Sequence, residues 1–435
     1  MVRKKKAKLP DFALTLKAFE GSPCIRKVHP NLYVSVTRNI TDLHQKEEEM
    51  IDFSITDEQE LMLENLREFV ARECPEEKIK KWYEQRYIDQ DVRKAYLEAG
   101  FGYMFVPEEY GGVSSDAVTL ALVVTELIKS AKATMPFMSY GLAMYDMSEF
   151  ASPELMEEAM KYYEETGEQA YSLALSEPCA GSDNQGMTTT AHWNGDGTVT
   201  LNGTKTMVSL AETAPFMLVI AKDEDPSREN KNMSMWIIDP KQEGVALAPL
   251  HKIGQQITNF SEVYLDNVVV PETALLGERG KGFLQLMKNF ELERIMLASH
   301  SLGLAKAAME EAAVYAGQRM AFGKTIGSFQ LIQQKLTDME IAVQNMENLL
   351  LKTAWEFDQG ISVRLDSALA KRYISMQSTW VCSEALQIMG GIGYTTESCV
   401  GRLWIDARGS QFGGGTDEIM VHIAGRQIIK KYARN

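Results

Sequence analysis

Hydrophobic positions along this chain change their period twice. Thr56-Asp57-Glu58-Gln59 has the form of a capping box, and Leu63, Leu66, Phe69 and Val70 then recur at helical spacing. This spacing predicts helices to about residue 166, broken by the Pro- and Gly-bearing loop 106–112 and including a long apolar helix over about 116–130. From about residue 169 to 276 the apolar runs become short and β-rich. They fall at 198–201, 216–221, 233–238, 245–247 and 263–270, with Asn-Gly, Asp-Gly and Pro signals between them. Short strands without intervening helices predict an antiparallel barrel or sandwich. Helical periodicity returns from Gly280, over about 283–320, 326–358 and 362–389, with a last helix after Thr416; this is the pattern of an antiparallel bundle. The predicted class is α+β in three parts: a helical domain over 50–168, a β domain over 169–276 and a helical bundle over 277–435.

The first 49 residues stand apart. They open with Arg3-Lys4-Lys5-Lys6 and carry weak periodicity. They lack the apolar stretch of a secretory signal, and their Asp and Glu argue against a transit peptide. They read as a disordered extension or as a start placed too early, with Met50 the alternative start.

Composition narrows the classes. The 435 residues suggest roughly three domains at about 150 residues each. Hydrophobic residues make up 45% and charged residues 24%, ordinary globular values. A net charge of −15 disfavours nucleic acid and anionic membrane surfaces. The longest apolar run, around 117–124, is far short of the roughly 18–20 residues a membrane-spanning helix needs. Cys24, Cys74, Cys179, Cys382 and Cys399 are scattered without a CxxC pair, which points to a reducing cytoplasm and to no zinc site. No HExxH pair is present, so no metal is expected.

Two phosphate motifs fail. Gly323-Lys324-Thr325 resembles the end of a P-loop, but position 318 is Gln where the first Gly belongs, and no GxGxxG follows a strand. Polar and glycine clusters at the joints remain. Ser176-Glu177-Pro178-Cys179-Ala180-Gly181-Ser182-Asp183 is either a plain turn or a tight loop with amides and hydroxyls facing a ligand. Gln387-Ile388-Met389-Gly390-Gly391 is either a helix C-cap or a backbone that a phosphate can approach closely. Gly413-Gly414-Gly415-Thr416 precedes the last helix, where Thr416 can act as a cap and free amides can bind an anion or a carbonyl oxygen. Glu293 sits among Leu292, Ile295, Met296 and Leu297. It is either a surface partner of Arg294 or a half-buried carboxyl with a raised pKa, suited to general-base work.

Together these segments resemble the acyl-CoA dehydrogenase family from about residue 50 to 432. The family loop T/S-E-P-G-A-G-S-D is matched at 176–183, with Cys179 for the first Gly. R-x-x-F-G is matched by Arg319-Met320-Ala321-Phe322-Gly323, followed by Phe329-Gln330, and Q-x-x-G-G by Gln387 to Gly391. The resemblance implies the family's fold: a helical N-terminal domain, a middle β domain and a C-terminal four-helix bundle. It also implies FAD, an acyl-CoA or enoyl-CoA substrate, an electron-transferring flavoprotein as partner, and a homotetramer. By motif match, Leu175, Ser176, Gly181, Ser182, Met207, Val208 and Ser209 line the flavin, with Met207 in place of the usual aromatic. Arg319, Phe322 and Gln330 match residues near the FAD diphosphate and adenine. Gln387, Gly390 and Gly391 match the stretch that reaches a neighbouring subunit's FAD, and Thr416 and Glu418 match further FAD contacts. Ser182, Glu291, Arg294 and Gly415 match positions that touch acyl-CoA.

Many members carry the catalytic Glu in a Y-E-G-T motif, where this chain has Gly414. Isovaleryl- and long-chain-type members hold it at the helix position matched by Glu293. The resemblance therefore implies that Glu293 takes the α-proton while the β-hydrogen leaves as hydride to flavin N5. Hydrogen bonds to the thioester oxygen, one of them from the residue-414 amide, stabilise the enolate. Within the family, Phe329-Gln330-Leu331-Ile332-Gln333, Ala354-Trp355, Asp358-Gln359-Gly360 and the Gly414-to-Glu418 tail look similar to crotonobetainyl-CoA reductases, which run the reaction in reverse. Direction depends on the electron partner and substrate potential, neither of which is written in the chain.

Because the prefix lies outside every motif, a chain starting at Met50 is expected to keep its fold, flavin content and activity. Flavin absorbance and thermal melting of the truncated protein check this, and loss of flavin would make the prefix structural.

Overall fold

The computed structural model describes residues 54–224 and 232–433. The extension expected over 1–49 lies outside the described residues. The chain divides into residues 1–56 and 57–435. Of the first unit only residues 54–56 are described, as irregular chain.

Its first part is helical: α1 (Asp57–Glu73), α2 (Glu76–Gln85), α3 (Gln90–Glu98), α4 (Ala117–Ala131), α5 (Phe137–Phe150) and α6 (Pro153–Thr166). The helical spacing read from the sequence is the buried stripe of α1: Leu63, Leu66, Phe69 and Val70 are all buried. Helix starts follow capping chemistry. The Asp116 carboxylate accepts from the Thr119 amide at 2.7 Å, and Ser152 caps α6 ahead of Pro153.

The middle part is one eight-stranded sheet: β1 (Tyr171–Ala174), β2 (Thr190–Trp193), β3 (Thr198–Ser209), β4 (Phe216–Asp223), β5 (Met233–Ile238), β6 (Val245–Leu250), β7 (Phe260–Pro271) and β8 (Leu275–Leu276). The order β6-β7-β3-β2-β4-β5-β8 follows antiparallel pairing, with two parallel additions. β1 and β2 share one edge of β4, β1 pairing Phe216 to Val219 and β2 pairing Lys222 and Asp223. Alternating burial along β7 places Val263, Leu265, Val268 and Val270 in a core with Trp236, Leu201 and Val208.

The last part is helical: α7 (Gly282–Leu286), α8 (Phe290–Gln318), α9 (Gln330–Asp358), α10 (Arg364–Met389), α11 (Cys399–Gly409) and α12 (Asp417–Tyr432). A hairpin of β9 (Met320–Ala321) and β10 (Lys324–Thr325) turns at Phe322-Gly323. The single helix expected over 283–320 is divided. Asn289, between α7 and α8, does not cap α8 but turns its amide onto Asp146 of α5. α11 was not expected, because eleven residues between glycine clusters carry little periodic signal.

The three parts meet at a buried acid. Tyr83 of α2 donates to Asp406 of α11, and so does the Gln255 amide from the β6–β7 loop. No helix of the described residues is long and apolar enough to cross a membrane.

α8 and α4 cross closely at Gly303. A Cβ there would lie 2.7 Å from both Ile128 Cβ and the Thr125 carbonyl oxygen. Gly303→Ala therefore forces the helices apart and should cost about 1–3 kcal/mol, read as a lowered Tm with flavin absorbance as the folding control.

Candidate active site

The loop from Leu175 to Asp183 leaves the end of β1 and is held from below by an ion pair. Its Glu177 and the Lys205 of β3 are both fully buried, 2.8 Å apart. Glu177 also accepts from the Thr188 amide at 2.6 Å, the Thr188 hydroxyl at 2.8 Å and the Thr189 amide at 3.0 Å, while Lys205 also donates to the Leu175 carbonyl at 3.1 Å. Burial opposes charge on Glu177, but the Lys205 ammonium and these donors outweigh it and hold the carboxyl at about 2. Glu177 and Ala180 exchange backbone hydrogen bonds across Pro178-Cys179, which closes the turn and leaves Gly181 and Ser182 exposed.

β3 bulges beside this loop. Its register against β7 shifts between Lys205 and Val208, and the freed Thr206 amide donates to the Ser176 carbonyl at 2.9 Å. Met207, in the bulge, takes φ +58°, rare for a non-glycine residue, and points outward at 58% exposure. Ser176, Met207, Val208 and Ser209 are thus brought together. Val208 turns into the core, so its backbone is what it can offer a ligand.

The second cluster forms at the N-terminal end of α8. Glu293 is half-buried and Arg294 is buried at 5% exposure, with its Nε lacking any partner. Burial pushes the Glu293 carboxyl up to about 7; the Asp146 charge adds to this, and Arg294 and Lys371 oppose it. Position 414 converges on the same place: a Cβ on Gly414 would stand 3.6 Å from Glu293 Oε1. The Gly414 and Gly415 N–H groups have no partner among the described residues. Lys371 fixes this loop from α10. Its buried ammonium donates to the Gly415 carbonyl at 2.6 Å and lies 3.5 Å from Asp417 Oδ1, which also accepts from Ser375 at 2.9 Å. Thr416 caps α12 as expected, accepting from the Ile419 amide at 3.2 Å, while Glu418 is exposed. Glu291, partly buried, lies two residues before Glu293.

A third cluster lies at the end of α10. Arg319, Gly390 and Gly391 line one pocket of about 430 Å³ with Tyr315, Ile326 and Ile388. A Cβ on Gly391 would meet nothing within 4 Å. Neither packing nor a left-handed φ demands this glycine, so its bare face is open to a ligand. Gln387 is exposed beside it. Phe322 is 95% exposed, its ring edge-on to Phe329 with centroids 6.1 Å apart, and Gln330 opens α9 next to them. Among the described residues, no hydrogen bond or ion pair joins this cluster to Leu175, Ser176, Ser182 or Met207.

Sequence reasoning missed Lys205, Lys371 and Asp146. A lone Lys in Ser-Ala-Leu-Ala-Lys and a lone Asp in a Met-rich helix were the available signals.

A half-buried carboxyl next to unpartnered backbone amides can accept a proton beside a bound carbonyl oxygen. The comparisons give the family. The acyl-CoA dehydrogenase N-terminal, middle and C-terminal domain models match residues 56–162, 172–268 and 280–429. The chain is 44% identical over 382 residues to the probable acyl-CoA dehydrogenase YdiO of Escherichia coli (strain K12), covering 88% of this chain and 99% of that protein. It is similar to the crystal structure of an acyl-CoA dehydrogenase from Slackia heliotrinireducens DSM 20476, with a TM-score of 0.79, 34% identity and coverage of 88% and 99%. It is also similar to butyryl-CoA dehydrogenase from Megasphaera elsdenii, with a TM-score of 0.79, 30% identity and coverage of 87% and 100%. The chain belongs to the acyl-CoA dehydrogenase family. It is an oxidoreductase with FAD as its cofactor.

The buried pair under the loop sets a measurable dependence. Lys205→Met leaves Glu177 buried without its cation and should destabilise by about 3–5 kcal/mol, and adding Glu177→Gln should recover part of the loss. Glu177 is lowered from 4.5 to about 2. Its contribution is therefore present above about pH 4.5 and lost as pH falls towards 2. Urea unfolding of the wild type and the two variants at pH 7 and pH 4 checks both statements.

Proposed function

We propose that this protein interconverts an acyl-CoA thioester and its 2-enoyl-CoA, with Glu293 moving the α-proton. The observation that carries the reading is the convergence of Glu293 with Gly414: the carboxyl is half-buried, pushed up to about 7, and lies beside two backbone N–H groups without partners.

The residues present fit FAD. The open face of Gly391 beside Arg319 offers a cation and bare backbone to a diphosphate, and the exposed Ser182 and Met207 flank a second surface. Ser176, Gly181, Ser182 and the Met207–Ser209 backbone would hold the ring end. Arg319, Phe322 and Gln330 would hold the diphosphate and adenine end, Gln387, Gly390 and Gly391 would reach a neighbouring subunit's cofactor, and Thr416 and Glu418 would be further contacts. Bound FAD supplies the hydride acceptor. Ser182, Glu291, Arg294 and Gly415 would contact the acyl-CoA, Arg294 through its unpartnered Nε. The Gly414 amide donates to the thioester oxygen and stabilises the developing enolate. Glu293 removes the α-proton in the oxidative direction and returns it in the reductive one.

Oxidation passes its electrons to an electron-transferring flavoprotein. The second reading is a crotonobetainyl-CoA-type reductase of carnitine metabolism. It is favoured by the likeness of Phe329-Gln330-Leu331-Ile332-Gln333, Ala354-Trp355, Asp358-Gln359-Gly360 and the Gly414-to-Glu418 tail to those reductases. The exposed Leu331, Ile341 and Trp355 of α9 and Ile429 of α12 are apolar surface suited to burial in a homotetramer. Cysteine usage suits the cytoplasm.

Anaerobic titration of the yellow protein with a panel of acyl- and enoyl-CoAs, crotonobetainyl-CoA included, tests the reading. A panel that leaves the flavin unchanged in both redox states rejects it. Glu293→Gln should slow flavin reduction by about 10²–10⁴-fold while FAD content and acyl-CoA binding persist. The sign of the pH dependence follows from the base. Flavin reduction by acyl-CoA needs ionised Glu293 and should rise as pH passes about 7; flavin oxidation by enoyl-CoA needs the protonated form and should fall over the same range. Stopped-flow traces between pH 5.5 and 8.5, a window of about 1.5 units on each side of that value, check this.

A further inference from the structure

A second carboxylate stands beside the base. Asp146 of α5 accepts from Asn289 Nδ2 through Oδ1 at 2.7 Å and from the Tyr171 hydroxyl through Oδ2 at 2.9 Å. Asn289 lies one helical turn before Glu293, whose amide donates to the Asn289 carbonyl at 3.0 Å. Residues four apart on a helix share a face at about 5–6 Å between Cβ atoms. Asp146 is therefore held on the face of α8 that carries Glu293.

The two carboxyls differ in their donors. Burial raises the Asp146 carboxyl above its ordinary value, and the hydrogen bonds to both of its oxygens oppose this and favour its anion. Among the described residues, no donor reaches the Glu293 carboxyl. Two neighbouring acids do not ionise independently, and the one without donors takes the proton first.

We propose that Asp146, held as the anion by Tyr171 and Asn289, is a positioning residue that makes Glu293 the stronger proton acceptor of the pair. The proposal rests on the reading of Glu293 as the base.

The other charges around Glu293 are accounted for. On α8 stand Glu291 and Arg294; Glu291 and Arg364 of α10 both act on Arg294. Lys371 of α10 is engaged by Gly415 and Asp417. Glu149, which adds to the field at Asp146, is paired with Lys288. Tyr171 of β1 is the hydroxyl already on Asp146. Among these charges Asp146 acts most strongly on Glu293. The raised Glu293 carboxyl agrees with the geometry.

The test follows the proton itself. In the FAD-loaded wild type, the infrared C=O band of the protonated Glu293 carboxyl, assigned by its absence in Glu293→Gln, is titrated against pH. In Asp146→Asn, which keeps the shape and removes the charge, the midpoint should move to lower pH by about one unit, the size expected for one like charge a helical turn away in a half-solvated site. Tyr171→Phe removes one donor and should move it the same way by less. The acidic limb of flavin reduction should move with the midpoint. An unchanged or higher midpoint in Asp146→Asn overturns the proposal. Should that variant not hold FAD, an unchanged midpoint in Tyr171→Phe does so. If both midpoints move as expected but no acyl-CoA reduces the wild-type flavin, the pairing stands and the reading of function fails.

Discussion

An ammonium group taken into the interior of a helical bundle has to be neutralised where it stops, and the pocket around Glu293 takes its shape from this requirement. Lys371 is 1% exposed. An isolated cation at that depth would cost several kcal/mol, so its donors must find oxygen. They find the Gly415 carbonyl and the carboxylate of Asp417, the first residue of α12. The carboxylate also sits at the end of α12 where the helix dipole favours a negative charge. Ser375 donates to the Asp417 carboxylate and Arg372 to its carbonyl, so the glycine loop hangs between two fixed helices. Only with the loop held in this way do the Gly414 and Gly415 amides stay free of internal partners and close to the carboxyl of α8.

The same device recurs at the other joints. Glu177 and Lys205 tie the ligand loop to β3, and Asp406 gathers donors from α2 and the β6–β7 loop. In each case a charged or strongly polar group is buried where a helical part meets the sheet or a loop. Apolar packing is non-directional and fills the cores on either side. These groups fix orientation, because an unpaired buried charge is far more costly than a misplaced methyl group.

Elements with strong period were legible in the sequence. The helical first part, the strand-rich middle and the long helices of the last part each follow from spacing, and the ends of α9 and α10 fall close to those expected. The two candidate positions of the base were also legible, since Glu293 is an acid among Leu292, Ile295, Met296 and Leu297 and Gly414 leaves a gap in a recognisable loop. What was not legible depends on distant partners. Asn289 breaks a helix because of an acid 143 residues earlier, and Tyr171 reaches the same acid from a different element. Periodicity within a window of some eighteen residues carries no information about such pairs. The left-handed Met207 was hidden for a related reason: it follows from a register shift between two strands rather than from its own preference.

The crowding at Gly414 constrains where such a site can carry its acid. With φ +62° and a Leu297 methyl 2.2 Å from where a Cβ would be, a side chain at 414 meets both backbone strain and a clash. A carboxylate carried at 414 would therefore ask the Leu297 side chain to turn aside and a left-handed backbone to bear a Cβ, whereas one carried on α8 asks for neither. The two placements deliver an acid to nearly the same point in space at unequal conformational cost.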